Sequence, residues 1–516
     1  MTNMKRRGHY FQNREDAFYS PIQERFHEWG LAGVLPPPPP PPPFSNIVKD
    51  FILPEDSNDF TIDGLNLAEH GNFYTIYMNS QSATGYADCR IAFNNDMVDS
   101  HYSAMVHYYD TAGGPVIGKG FSRPLFGALS DISAAHVFHI FKVGQTLVLR
   151  GTGDNNAEPV APAVEVVRYL PAADNLTSLR ITSSRPLKAG TRIVITRDIP
   201  DMIIGEYPLG DSGIIPINWA GPGVGPYGAF LRAERFAPPG NSWYIMPEGD
   251  LTWSGWVRIY THDTTQVRDW GYGTPVPCED TGYHFFYPTI YWSYNNFMEF
   301  PAFVSENCIL STTDDSVISS ETNAAISTLT NTYLQYQRLS GTDTGLLRLK
   351  RMIHPNIVVA ESPYLCDGPE EVELNLDLNA LGGWVILLAM GSCRRPQIFI
   401  NDDFDLSHYF MDRLIYGYRI AGAPPQSQFV NNVNSTDLNY DHENSIIDFP
   451  GYIVISRGLS GHVRIFFVGG RCATNGFVRG EIIYNVETDN VTKITLKAGV
   501  SPGYLRGKFY LVKAFW

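Results

Sequence analysis

Short runs of alternating side chains, each closed by Gly, Asn, Asp or Pro, set the first limit on what this chain can become. NFYTIYMNS, CRIAFNN, YSAMVHYYD, TLVLRGTG, AVEVVRYL, SLRITSS and TRIVITRD follow one another after Phe44 and read as strands. In TRIVITRD, Ile193 and Ile195 alternate with Arg192 and Thr196, which predicts one dry and one wet face, as in an antiparallel sandwich. The pattern resumes with DLTWSGWVRIYTH, YHFFYPTIYW, FMEFPAFVS, VELNLDLNALGGWVILLAM and PQIFINDDF, then with GYIVISRG, HVRIFFVGG, FVRGEIIYNV, TKITLKAG and GKFYLVKAFW. Helical signal in the body is confined to TNAAISTLTNTYLQYQRL and FDLSHYFMDRLIYG. The reading is all-β: an antiparallel β-sandwich, at least one additional β domain and an extended N-terminal arm.

At 516 residues the chain exceeds what one hydrophobic core serves, so two or three packed units are expected. Charged residues make up 18% and aromatic ones 13%, a balance that suits strands and extended contact surfaces. A net charge of -15 argues against a surface that generally attracts phosphate backbones. The short cluster Lys5, Arg6 and Arg7 is the place where packaged nucleic acid could be touched. Cys89, Cys278, Cys308, Cys366, Cys393 and Cys472 form no CxxC pair, so neither a zinc knuckle nor a dense disulfide framework is indicated. The N-terminus has no apolar signal region, and no stretch approaches the ~18 apolar residues of a membrane helix. A soluble protein made in the cytoplasm is expected, and the sequons at Asn175, Asn434 and Asn490 read as chance matches.

Residues 1–43 read as an arm. Ile22, Phe26 and Trp29 give one short amphipathic helix in SPIQERFHEWG, and Pro36 to Pro43 then impose a polyproline II rod of roughly 25 Å. Such an arm reaches to a neighbouring copy or a recruited partner, or trails as a tail on a stiff spacer. Beyond it the expected division is a β-rich domain over 44–203, a sandwich over 204–425 and a C-terminal β-rich region over 426–516. The Gly- and Pro-rich stretch 204–240 reads as long surface loops. Ser254–Tyr260 and Ser460–Phe466 share the form SG-x-VRI-aromatic, an echo that duplicated β units would produce.

TWSGWVRIYTH, then Glu299-Phe300-Pro301-Ala302-Phe303-Val304-Ser305, then Ile398-Phe399-Ile400-Asn401-Asp402-Asp403-Phe404-Asp405-Leu406 agree in order and polarity with a known pattern. Over about 247–410 the chain resembles the capsid proteins of picorna-like viruses. The resemblance implies a jelly-roll sandwich that packs against copies of itself and other capsid subunits, with loops outward and the arm inward. It implies a structural subunit of a non-enveloped icosahedral shell, found in the virion and made in the host cytoplasm, presenting surface loops for host attachment.

No nucleophile elbow, Walker loop, HExxH or dinucleotide fingerprint is present, so no enzyme and no cofactor is expected. Asp402, Asp403 and Asp405 are the weak candidates for a divalent ion, and Asp56–Gly64 lacks the closing Glu of a calcium loop. Glu299, flanked by Met298 and Phe300, alternates toward the solvent face, and His136 with His139 lacks a third ligand. Trp253, Trp256, Trp270, Tyr272, Tyr291 and Trp292 crowd one stretch and are the candidates for stacking on a glycan or a receptor. They support the rival reading of a glycan- or receptor-binding spike, with a β-sandwich glycoside hydrolase behind it because paired carboxylates meet only in three dimensions.

Overall fold

In the computed structural model, twelve strands of the first third close into a sandwich. They are β1 (Ile47–Ile52), β2 (Ser57–Asp63), β3 (Phe73–Ser80), β4 (Ala87–Phe93), β5 (Tyr102–Asp110), β6 (Gly114–Phe121), β7 (Leu125–Ala128), β8 (Ala134–Val143), β9 (Thr146–Gly153), β10 (Ala163–Tyr169), β11 (Ser178–Leu187) and β12 (Arg192–Arg197). The described residues are 45–516 without 111–113, 154–162, 217–230, 237–241, 249–256, 261–266, 271–283, 293–298, 311–316, 326–332, 341, 352–353, 364–369, 419–425, 439–445, 449–451, 472–476 and 500–504. The larger sheet runs β1-β12-β3-β8-β9-β10-β5-β6 and the smaller β2-β11-β4-β7, with every pairing antiparallel. Ile76, Met78, Ile193 and Ile195 from one sheet meet Cys89, Ile91, Leu179 and Ile181 from the other in a single core.

The last third repeats this plan. Its larger sheet runs Val358–Glu361, Arg506–Lys513, Trp384–Arg394, Tyr452–Arg457, Val463–Arg471, Phe477–Tyr484, Tyr409–Tyr418, Gln426–Asn434, the counterparts in order of the first sandwich's larger sheet. The short strand Ile446–Asp448 pairs in addition with Trp384–Arg394. Its smaller sheet runs Glu371–Asn375, Lys493–Ala498, Pro396–Ile400, the counterparts of β2, β11 and β4. The place of β7 is taken by the single bridge Gln397 to Asp437. Leu387, Ile398, Ile453, Ile494 and Leu511 build the second core. The fold is therefore all-β and built on antiparallel sandwiches, and Asn46–Trp516 forms one compact unit.

Four expectations need correction. The boundary at 425/426 falls inside the second sandwich, because Tyr409–Tyr418 and Gln426–Asn434 lie in one sheet with Tyr452–Arg457 and Arg506–Lys513. The stretch 204–240 contains strands Ile203–Leu209, Ser212–Pro216 and Leu231–Phe236 in place of loops alone. FDLSHYFMDRLIYG forms one 3-10 turn, Leu406–His408, and then a strand, because Tyr409 and Met411 alternate into the core. Val317–Ala325 and Tyr333–Ser340 are likewise strands. The fourth concerns β12. Its supposed wet face is covered, with Val194 0% and Thr196 4% exposed, because the larger sheet packs on both sides.

The SG-x-VRI echo does not mark the repeat. Val257–Tyr260 pairs with Val267–Trp270 and Val317–Ala325, whereas Val463–Arg471 lies between Tyr452–Arg457 and Phe477–Tyr484 of the second sandwich. The stretch 247–410 is divided in the same way, its early strands in a five-stranded sheet and its late ones in the second sandwich.

Candidate functional site

The duplicated plan brings one polar constellation into being twice. In the first sandwich, β4 runs into Asn94, Asn95 and Asp96 and then a 3-10 turn, Asp99–His101, before β5 starts. In the second, Pro396–Ile400 runs into Asn401, Asp402 and Asp403, then Leu406–His408, before Tyr409. Asn94, Asn95, Asn401 and Asp402 all take positive φ between 50° and 61°, which short amide and carboxyl side chains tolerate best after Gly. The turn carries the chain from the smaller sheet to the larger.

Asp96 sits at the centre of the first copy. Its Oδ2 accepts from the Tyr169 hydroxyl at 2.7 Å and lies 2.6 Å from His101 Nδ1, while Oδ1 accepts from Val98 N at 3.0 Å. Asp403 repeats this with the Tyr484 hydroxyl at 2.8 Å, His408 Nδ1 at 2.6 Å and Asp405 N at 3.1 Å. Partial burial opposes ionisation of both carboxyls, but the donors from His, Tyr and the backbone outweigh it and hold each below the ordinary Asp value. Burial, reinforced by the same carboxylates, pushes the Tyr169 and Tyr484 hydroxyls well up.

A second clamp uses two of the three sequons, those at Asn175 and Asn490. Asn175 Oδ1 accepts from Ala68 N at 2.9 Å and its Nδ2 donates to Asn66 Oδ1 at 2.7 Å. Asn490 Oδ1 accepts from Asn379 N at 3.0 Å and its Nδ2 donates to Asp377 Oδ1 at 2.9 Å. Two residues on, Thr177 N and Thr492 N each donate at 2.8 Å to Asn94 Oδ1 and Asn401 Oδ1. Asn-x-Thr recurs here because both ends of the tripeptide fasten the smaller sheet to the crossover. The chance-match expectation concerns glycosylation and does not touch this structural role. The signal for that role in the sequence is the recurrence of N-[ND]-D-x4-HY followed by NxT in the first and last thirds of the chain.

An aspartate orienting an imidazole is also the frame of a general base. In the second copy His408 Nε2 faces Asp405 Oδ2 at 3.9 Å. Both copies act as locks on a chain crossover.

The three acids singled out for a metal are occupied separately. Asp402 meets Lys493 Nζ at 2.7 Å, Asp403 holds His408 and Tyr484, and the Asp405 Oδ1 accepts from Ser407 N at 2.9 Å and Ser407 Oγ at 2.7 Å. No group of three metal-type side chains occurs among the described residues. His136 and His139 point apart: His136 Nε2 lies 3.0 Å from the Gly127 carbonyl, and His139 Nδ1 lies 3.2 Å from Thr75 Oγ1.

Of the six aromatic candidates, Trp270 ends the strand Val267–Trp270, and Tyr291 and Trp292 end the strand His284–Trp292. These two strands are opposite edges of the five-stranded sheet, so the topology separates what the sequence clusters. Trp253, Trp256 and Tyr272 lie outside the described residues, as do Lys5, Arg6, Arg7 and the polyproline arm. All six aromatics fall between Ile203–Leu209 and Gly345–Arg351, which pair with each other. Ser212–Pro216 and Tyr333–Ser340 pair just inside them. The chain thus enters and leaves this inserted segment through one antiparallel neck.

The neck is anchored to the first sandwich. Asp198 accepts from Arg348 Nη1 at 2.9 Å and Lys350 Nζ at 2.6 Å, with all three side chains at most 12% exposed. Arg348 Nη2 donates to the Gly71 carbonyl at 3.2 Å and Lys350 stands 4.7 Å above the Phe73 ring. In the second sandwich the matching carbonyl, Gly382, accepts from Arg192 Nη1 at 2.8 Å, and the matching ring, Trp384, meets Tyr77 edge-on at 5.3 Å. The same surface of each sandwich is therefore used for docking, once by the neck and once by the first sandwich. A cleft of about 90 Å³ remains at this junction, lined in part by Tyr77, Asp198, Lys350, Ile386, Val512 and Trp516.

No protein-family model matches the chain, and no curated protein matches it. Among solved structures it is similar to the LG1-3 region of the laminin alpha2 chain, at 9% identity over 89% of this chain and 96% of that one, with a TM-score of 0.13. It is also similar to the vaccine antigen transferrin binding protein B of Haemophilus parasuis Hp5, at 7% identity over 84% and 86%, with a TM-score of 0.08. At such TM-scores neither likeness bears on function.

Proposed function

We propose that the protein is a structural subunit of a viral shell, in which the two fused sandwiches are the building element and the segment 203–351 carries the attachment surface. The observation that carries this reading is the neck. A segment holding all six candidate aromatics is inserted between two copies of one sandwich and closed by the pairing of Ile203–Leu209 with Gly345–Arg351. Binding surfaces are commonly built on such insertions because a rigid scaffold positions them while leaving them free to vary.

Further support comes from strand order. First pairs with last in both sheets, β1 with β12 and β2 with β11, the nesting that a jelly roll has. The polar constellations around Asp96 and Asp403 are consumed in holding crossovers, which suits a structural role. Assembly would take place in the host cytoplasm and the product would be the virion. Light scattering after size exclusion, with electron microscopy of the peak fractions, tests the reading. Closed particles are expected in some window of salt and pH, and monomers under every condition would overturn it.

A further inference from the structure

Where the two sandwiches meet, the turn Gly458–His462 of the second closes on Ser133 of the first. Ser133 N donates to Ser460 Oγ at 2.9 Å, and Ser460 N donates to Ser133 Oγ at 2.8 Å. Arg464 Nε donates to the Ser133 carbonyl at 2.7 Å, and its guanidinium is paired with Glu481, both side chains being buried. His462 Nδ1 lies 2.9 Å from the same Ser460 Oγ.

The proton count at Ser460 decides what this clamp can do. In the tautomer that leaves Nδ1 bare, the Ser460 hydroxyl donates to it and its oxygen is left to accept from the Ser133 amide. An imidazolium carries a proton on both nitrogens, so Nδ1 turns from acceptor to donor. The Ser460 hydroxyl then loses its acceptor, and a cation is added beside Arg464 at a site where His462 is only 8% exposed.

We propose that this clamp is a proton-operated junction: protonation of His462 releases the second sandwich's turn from Ser133 and loosens the two sandwiches from each other while both cores stay folded. The charged groups around His462 are Glu487, past the end of Phe477–Tyr484, and the buried Arg464 and Glu481 on the neighbouring strands. Burial holds the imidazole below its ordinary value and Arg464 pushes it further down, against the upward pull of Glu487 and of a hydrogen bond with the Ser460 backbone. The clamp is closed at neutral pH and opens on the acid side of the ordinary histidine range.

Hydrogen exchange on the full chain, corrected for the intrinsic effect of pH, reads this directly in peptides spanning 131–135 and 456–465. Between pH 7.5 and 5 protection there falls severalfold, because the clamped imidazole binds its proton less tightly than the released one. Peptides from β12 keep theirs, and His462→Gln shows no such step. Equal loss in wild type and His462→Gln, or no loss in wild type, overturns the proposal. Should His462→Gln fail to fold, the ring titration of His462 in the wild type by NMR takes its place. Its midpoint must coincide with the loss of protection, and a midpoint elsewhere overturns the proposal.

Discussion

Tyr102 and Tyr409 hold the same position in the two sandwiches. Each hydroxyl donates at 2.8 Å to the carbonyl of the aspartate that opens its crossover, Asp96 or Asp403. Each also accepts a backbone amide from the strand before it, Phe93 N at 2.9 Å and Ile400 N at 3.0 Å. One phenol oxygen thus satisfies two main-chain groups that would otherwise be buried without partners. Replacing either tyrosine by phenylalanine keeps the ring and orphans both. Tyr102→Phe and Tyr409→Phe are each expected to lower stability by about 1–3 kcal/mol in urea titrations. A cost below half a kcal/mol at both sites would show that the crossover does not need the lock.

The aspartates of the same locks give a pH dependence whose sign is fixed. Asp96 and Asp403 have folded values below the unfolded one, so the unfolded chain binds more protons in the acid range. Their contribution is complete above about pH 4, the ordinary carboxyl range, and is lost as pH falls through the folded values. Melting temperature followed from pH 5 down to pH 2 should fall steeply in the wild type and less steeply in Asp96→Asn with Asp403→Asn. Parallel slopes would assign the acid sensitivity to other carboxylates.

The sandwiches meet through large side chains as well as through the serine clamp. Trp384 is 1% exposed, and its ring lies edge-on to Tyr77 from the first sandwich. Trp384→Ala should cost about 3–5 kcal/mol, as for other large core truncations. In a double-mutant cycle with Tyr77→Ala, the coupling energy should be about 0.5–1.5 kcal/mol. Strict additivity would mean that each ring is held by its own sandwich alone.

How much of this was legible beforehand follows from where each signal resides. Strand alternation is local, so Ile193 and Ile195 announce a buried face from the sequence alone. That Val194 is buried too depends on a second layer packing on the sheet, which no local pattern records. The helix expected over FDLSHYFMDRLIYG failed for the same reason, since sheet partners on both sides of Tyr409–Tyr418 override its weak helical spacing. The duplication was present in plain letters at NNDMVDSHY and NDDFDLSHY. The apolar SG-x-VRI match is the weaker guide because apolar strand letters recur by composition, whereas a polar constellation of this length recurs only if its geometry does. Only the topology could have shown that Trp270 and Trp292 stand on opposite edges of one sheet.

Gly458 is where the junction leaves no room for a side chain. A Cβ at this position would lie 2.2 Å from the Ser133 Cβ and 2.8 Å from its hydroxyl, closer than any real contact. Neither neighbour can swing aside, because the Ser133 amide, hydroxyl and carbonyl are all engaged by Ser460 and Arg464. Gly458→Ala must therefore push the two sandwiches apart, while the cores around Ile195 and Ile455 keep their packing. The cost should be about 1–3 kcal/mol, the usual range for overpacking. Calorimetry is the sharper measurement, since loosening the junction without touching either core should split the unfolding of the body into two transitions. Adding Ser133→Gly removes the clashing Cβ and should bring the transitions back together in part, short of full recovery because the hydroxyl that accepts from Ser460 N is lost with it. One unchanged transition in Gly458→Ala would mean that the turn can move away from Ser133 without cost, and the tight contact would then have no part in holding the sandwiches together.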